Sequence, residues 1–231
     1  MIPLKDNVPT RTFPLVTVGL IIGNTIVWLW EWRSGVNREV FHYGYYPCTI
    51  DNECLAQVVP SDRLPWYEGA FTSMFLHGSW LHVGGNMLFL WIFGNNVEDS
   101  MGRVRFFLWY LAAGLAATAA QTFVTLQFSN AAGASVPNVG ASGAIAGVLG
   151  AYFVLLPQAS VLTVFFFILI EIPAMVFLGI WFVFQLWEGG FAALHPQTGG
   201  GVAFFAHVGG FVFGLATVRF VIKRRPLRPA W

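Results

Sequence analysis

The stretch GASGAIAGVLGAYFVLL, Gly140 to Leu156, contains no charged residue and carries its serine at the third position. Counted from Ser142 it makes a helix of 15 residues, about 22 Å long against a hydrocarbon core of about 30 Å. A segment this apolar and this short belongs inside a bundle, with its N-terminus sunk below the membrane surface. The uncharged run from Phe128 to Val139 is able to dip in with it. Free N–H groups at a buried helix start need partners, or a site in which those donors act. Gly143 and Gly147, four residues apart, give one face on which a second backbone could approach closely.

The rest of the chain supports that setting. Of 231 residues only 23 are charged, 10%, where a soluble domain carries about 25%. The hydrophobic fraction is 56%, with 23 Phe, 10 Trp and 6 Tyr, and the mean hydropathy is +0.65. Too little polar surface remains to dress a soluble globule, and aromatic rings are plentiful for interfacial belts. The net charge of +1 and the dispersed basic residues give no phosphate-tracking patch, so nucleic acid is excluded as a partner. The composition predicts an all-α polytopic membrane protein whose immediate partner is the lipid bilayer.

Cut on the length a spanning helix needs, the chain predicts six spans, at about 13–32, 71–97, 104–126, 142–156, 173–187 and 204–222. The first contains Asn24 and is read as a retained helix, since no small-residue cleavage site follows it. Val161 to Ile170 is also apolar, but a single long helix ending at Trp187 would put Glu171 mid-membrane. Residues 157–172 are instead read as an apolar connection at the membrane face, with Pro173 in the first turn of span five. An even number of spans puts both termini on one side. Lys5, Arg11, Arg103, Arg105, Arg219, Lys223, Arg224, Arg225 and Arg228 then lie inside, against Arg33, Arg38 and Arg63 outside, which favours N-in and C-in. The organisation is a cytoplasmic segment 1–12, a membrane domain 13–222 with an external loop 33–70, and a basic cytoplasmic tail 223–231. No internal repeat supports an inverted-repeat transporter.

The external loop holds both cysteines, Cys48 and Cys54, around an Asp51-Asn52 turn. On that side of a membrane they most simply form a disulfide, the alternative being two unpaired thiols. A metal site is disfavoured because the only nearby imidazole is His42.

Intramembrane polar groups are costly, and those here fall at a similar depth from distant parts of the chain: His82 and Asn86 in span two, Ser142 opening span four, and His207 in span six. Spans two, four and six all enter from outside. Taken alone, Ser142 reads as a helix cap and His207 as a hydrogen-bonded structural residue. Gly210 and Gly214 follow His207 as a second small-residue face, which would draw serine and histidine within reach for proton transfer. His82 and Asn86, at i and i+4, share one helix face as donors toward developing negative charge, joined by the Ser142 backbone N–H. His77 is read as structural. No carboxylate suits the histidine: Glu98, Asp99 and Glu171 lie at the inner side and Glu188 is remote, so the pattern is a Ser-His dyad.

Together these residues resemble the rhomboid family of intramembrane serine proteases. The motifs are P-L-K-D-x-x-P-T-R (Pro3 to Arg11), H-x-x-x-N (His82 to Asn86), Glu98, G-A-S-G (Gly140 to Gly143), E-I-P (Glu171 to Pro173) and A-H-x-x-G-x-x-x-G (Ala206 to Gly214). The resemblance implies a six-helix bundle of that family that hydrolyses peptide bonds in or near transmembrane segments of membrane-protein substrates. It assigns Ser142 as nucleophile, His207 as general base and acid, and His82 and Asn86 as oxyanion donors, with no metal or cofactor. It further implies a multi-pass protein of the cell (plasma) membrane, its site open to the external or periplasmic side, with substrate entering laterally between spans two and five; span five, short and opening at a proline, reads as the gate, and the Gly-rich run 189–201 that follows it as a cap. Two features depart from what the resemblance implies: Glu68-Gly69 stands where many bacterial relatives carry a Trp-Arg pair, and Ala146 where some relatives place a tyrosine under the histidine. The alternatives are a non-proteolytic rhomboid-like factor that binds membrane helices in the same groove, and a small-solute transporter using His82, Asn86 and His207 as a polar path.

Overall fold

A computed structural model describes residues 1–194 and 203–229. Most of the expected cap, from residue 195 on, and the last two residues of the tail lie outside the described residues. The chain runs β1 (Ile2–Asp6), α1 (Leu15–Ser34), α2 (Val36–Tyr43), α3 (Trp66–Thr72), α4 (Trp80–Phe89), α5 (Asn95–Met101), α6 (Arg103–Phe128), α7 (Ala131–Ala134), α8 (Ser142–Leu155), β2 (Ser160–Phe165), β3 (Ile168–Pro173), α9 (Ala174–Leu194) and α10 (Phe204–Val221). Among the described residues four helices are long and apolar enough to cross a membrane: α1, α6, α9 and α10.

The remaining two expected spans are of other kinds. Helix α8 is a short apolar helix of 14 residues. The expected span 71–97 does not begin at Phe71. Its helix starts at Trp80, where Ser79 accepts the His82 backbone N–H, and it continues through a π-helical turn, Leu90–Gly94, into α5. The preceding residues belong to α3 and a 3-10 turn, Ser73–Phe75. Hydropathy merged these pieces because Leu76 and the aromatic residues bridge a helix break that only the polar His77-Gly-Ser79 run marks.

The all-α expectation also needs correction. Residues 157–172 are not a plain apolar connection: β2 and β3 form an antiparallel hairpin, and β1 adds to the β2 edge with Ile2 opposite Val164 and Asp6 opposite Val161. The run SVLTVF…ILIEIP is rich in β-branched residues, and Val161 and Thr163 alternate into the interior, a strand signature that apolar counting hides. Pro173 accordingly closes β3 instead of sitting inside α9.

Helix α8 is the axis of the bundle, buried from Gly143 to Tyr152. It packs between α6 and α10. A Cβ on Gly210 would overlap the Gly143 carbonyl, and one on Gly214 the Gly147 carbonyl, so the two small-residue faces meet backbone to backbone. Trp109 Nε1 donates to Thr217 Oγ1 at 2.9 Å and ties α6 to α10.

Polar ties close the end of the bundle away from Ser142. Glu98 accepts the backbone N–H groups of Val16 and Thr17 at 3.0 and 2.7 Å and caps α1. Asp99 pairs with Arg11 at 3.1 Å and Arg224 at 2.8 Å, joining both chain ends to α5. Asp6 accepts from Tyr152 Oη at 2.5 Å and Asn96 Nδ2 at 2.7 Å. Burial pushes the Asp6 carboxyl up to about 6 although the Tyr152 bond pulls it down. At the other end the Cys48–Cys54 disulfide is formed, and the 45–46 region is held by a bridge from Tyr45 to Asn138.

Candidate active site

Ser142 opens α8, and no side chain caps that helix start. Its hydroxyl is spent elsewhere: Ser142 Oγ lies 2.8 Å from His207 Nε2. The cap reading of this serine therefore fails, and the pairing across α8 and α10 follows from the glycine contact that draws the two helices together. Gln121 Oε1 accepts the Ala206 N–H at 3.1 Å, tying α6 to the first turn of α10.

The other imidazole nitrogen, His207 Nδ1, lies 2.7 Å from Gln185 Oε1 on α9. An amide oxygen only accepts, so Nδ1 carries the proton and the Nε2 lone pair faces the Ser142 hydroxyl. This is the tautomer a general base needs, fixed by a neutral group. Around the ring, Trp181 sits with its centroid 5.9 Å away and Phe204 edge-on at 6.5 Å. Aromatic walls thus come from α9 and α10, while Ala146 lines the cavity with only a methyl group.

His82 and Asn86 reach the same cavity, of about 490 Å³, which Ser142, His207, Phe89 and Trp181 also line. His82 Nδ1 accepts the Gly78 N–H at 3.4 Å, which leaves the ring proton on Nε2. That nitrogen would lie 2.7 Å from a Cβ at Gly140, whose φ is +125°. Gly140 is therefore required twice, for its left-handed backbone and for the room it leaves between His82 and Ser142. Asn86 Nδ2 donates to His77 Nε2 at 3.0 Å, and a primary amide retains a second N–H for the cavity.

Behind these donors lies a buried polar chain. His77 is fully buried, and its backbone N–H donates to both Glu31 carboxylate oxygens, at 3.1 and 3.2 Å. Glu31, at the end of α1, is itself fully buried. The structural role expected of His77 is thus to position Asn86 and the 76–79 turn.

Sequence reasoning brought together Ser142, His207, His82 and Asn86, and missed Gln185, Trp181 and Glu31. The first of these was findable: Gln185 is an uncharged polar side chain amid Phe184 and Leu186 in a span, and an amide there is as anomalous as an imidazole. A neutral amide orients an imidazole as a carboxylate would, without a charge to mark it in the sequence.

Comparison with known proteins places these residues in context. The family model described as a rhomboid domain matches residues 65–224. The chain is 31% identical over 225 residues to the human presenilin-associated rhomboid-like protein, mitochondrial, covering 92% of this chain and 51% of the relative. It is 32% identical over 153 residues to rhomboid protein 1, mitochondrial, of Saccharomyces cerevisiae, covering 65% and 41%. Rhomboid-like protein 11, chloroplastic, of Arabidopsis thaliana is 35% identical over 83 residues, covering 36% and 27%. The chain spans about half the length, or less, of these relatives. The expected cell (plasma) membrane location is corrected by these matches, since the yeast, zebrafish and mammalian relatives are mitochondrial proteins.

Proposed function

The chain belongs to the rhomboid family of membrane proteins, and from that premise we propose that it is an intramembrane serine endopeptidase acting on transmembrane segments of other membrane proteins. The observation that carries the proposal is the 2.8 Å contact from Ser142 Oγ to His207 Nε2, on an imidazole whose far nitrogen is held by Gln185.

In the proposed reaction Ser142 Oγ bonds to the substrate carbonyl carbon while its proton passes to His207 Nε2. Charge collects on the carbonyl oxygen and is met by His82 Nε2–H, the free Asn86 N–H and the Ser142 backbone N–H. The C–N bond then breaks, and the leaving amine takes the proton from His207. Water, deprotonated by the same nitrogen, attacks the acyl-serine, and Ser142 leaves with that proton. Gln185 keeps the imidazole in register throughout without bearing charge.

We read the bundle as six spans with both termini inside, α4 and α5 forming span two and α8 span four. Substrate enters between α4 and α9, whose Phe89 and Trp181 border the cavity. For location, the relatives' names support a mitochondrial membrane. A disulfide engineered between α4 and α9 tests the entry route: confirmed cross-linking abolishes cleavage of a transmembrane substrate, and undiminished cleavage would sink it. Serine-reactive fluorophosphonate labelling tests the activity itself, and its absence would turn the reading to a non-catalytic helix-binding factor.

A further inference from the structure

The end of the bundle opposite Ser142 carries a second cavity, of about 700 Å³, between the C-terminal ends of α8 and α10 and the chain's tail. Leu155, Leu156 and Ile222 give it apolar walls, and Arg219, Arg225 and Arg228 stand around it. The tail is folded there by named contacts. Lys223 N–H donates to the Ser100 carbonyl at 2.9 Å, and Arg224 is committed to Asp99, through its carbonyl at 2.7 Å and its carboxylate at 2.8 Å. The arginines on either side are not so committed. Among the described residues Arg219, Arg225 and Arg228 make no ion pair, and no carboxylate lines the cavity.

Three unpaired guanidinium groups over an apolar floor match one ligand chemistry, a phosphate or other anionic head joined to hydrocarbon. Next to Arg219 on α10, Phe220 is 87% exposed, so apolar surface adjoins the arginines. We propose that this groove is a binding site for an anionic phospholipid, with the arginines on the headgroup phosphate and an acyl chain along Leu155 and Ile222. A free phosphate ion would satisfy the arginines but not the floor, so the lipid is the source the groove favours.

The test uses the full chain purified in detergent, exposed to dioleoylphosphatidylglycerol or dioleoylphosphatidylcholine, with retained lipid read by native mass spectrometry. The wild type retains the anionic lipid in preference. The combined variant Arg219→Gln, Arg225→Gln, Arg228→Gln loses that preference, with binding weakened on the order of a hundredfold. Leu155→Trp, which fills the groove and keeps every charge, loses it as well, whereas Arg33→Gln with Arg38→Gln, in the last turn of α1 and in α2 and outside the groove, does not. Equal retention of the two lipids by the wild type would overturn the proposal. So would full retention by the triple variant, no effect of Leu155→Trp, or displacement of the lipid by millimolar inorganic phosphate. Gel filtration checks that each variant is folded: the substituted arginines are all exposed and Leu155 is half-buried at the groove.

Discussion

Gln185 Oε1 lies 2.7 Å from His207 Nδ1, so an amide on α9 decides which imidazole nitrogen faces Ser142. Gln185→Leu removes that acceptor without adding charge, and frees the ring to rotate or change tautomer. The expected result is a fall in kcat of about tenfold to a hundredfold with KM little changed. Gln185→Glu keeps an acceptor in place and retains most of the rate. Steady-state kinetics on a transmembrane substrate check this; a change confined to KM would assign Gln185 to substrate binding instead.

Gly140 separates His82 from Ser142 at φ +125°. Gly140→Ala strains the backbone by about 1–3 kcal/mol and pushes a Cβ against His82 Nε2. Cleavage is expected to fall on the order of a hundredfold through displacement of that donor, with a modest loss of thermal stability in detergent. Cleavage at the wild-type rate would remove His82 from the proposed oxyanion site.

Asp6 gives a pH signature. Its folded pKa of about 6 lies above the ordinary 3.8 because of burial. The folded state therefore holds its proton more tightly than the unfolded chain. The stability this contributes is fully present below pH 3.8 and is lost as pH rises through about 6. The span corresponds to at most about 3 kcal/mol. Melting temperature should decline across that window in the wild type, and Asp6→Asn should flatten the decline while keeping an acceptor for Tyr152.

Glu98 satisfies the first free N–H groups of α1 from a buried position. Glu98→Ala leaves those donors without a partner and is expected to cost on the order of 3 kcal/mol, seen as a lower Tm and faster proteolysis near residues 8–14. Serine labelling of the protein that remains folded should be unchanged, because Glu98 lies at the far end of the bundle from Ser142.

Much of the site was legible in the chain because membrane burial makes polar residues conspicuous. Ser142, His207, His82 and Asn86 stood out against apolar neighbours, and the glycine pairs 143/147 and 210/214 told which helices could approach. The sheet was not legible by the same means. Its β2 and β3 residues are as apolar as a span, and β1 joins them from more than 150 positions away, a pairing no local pattern encodes. Helix α4 began later than hydropathy suggested because Ser79 and the His77 turn interrupt the helix without interrupting the apolar run. Gln185 is inconspicuous for a chemical reason: the familiar partner of a catalytic histidine is a carboxylate, and in a low-dielectric interior a neutral acceptor orients the ring without the desolvation cost of a charge.

The most direct measurement is fluorophosphonate labelling of the detergent-solubilised chain, with the adduct located by peptide mass spectrometry. Ser142 as nucleophile and His207 as base require a single adduct on the peptide bearing Ser142, none in Ser142→Ala, and a strongly slowed reaction in His207→Ala. Absence of an adduct in folded wild-type protein, or labelling that persists in Ser142→Ala, would contradict the protease assignment.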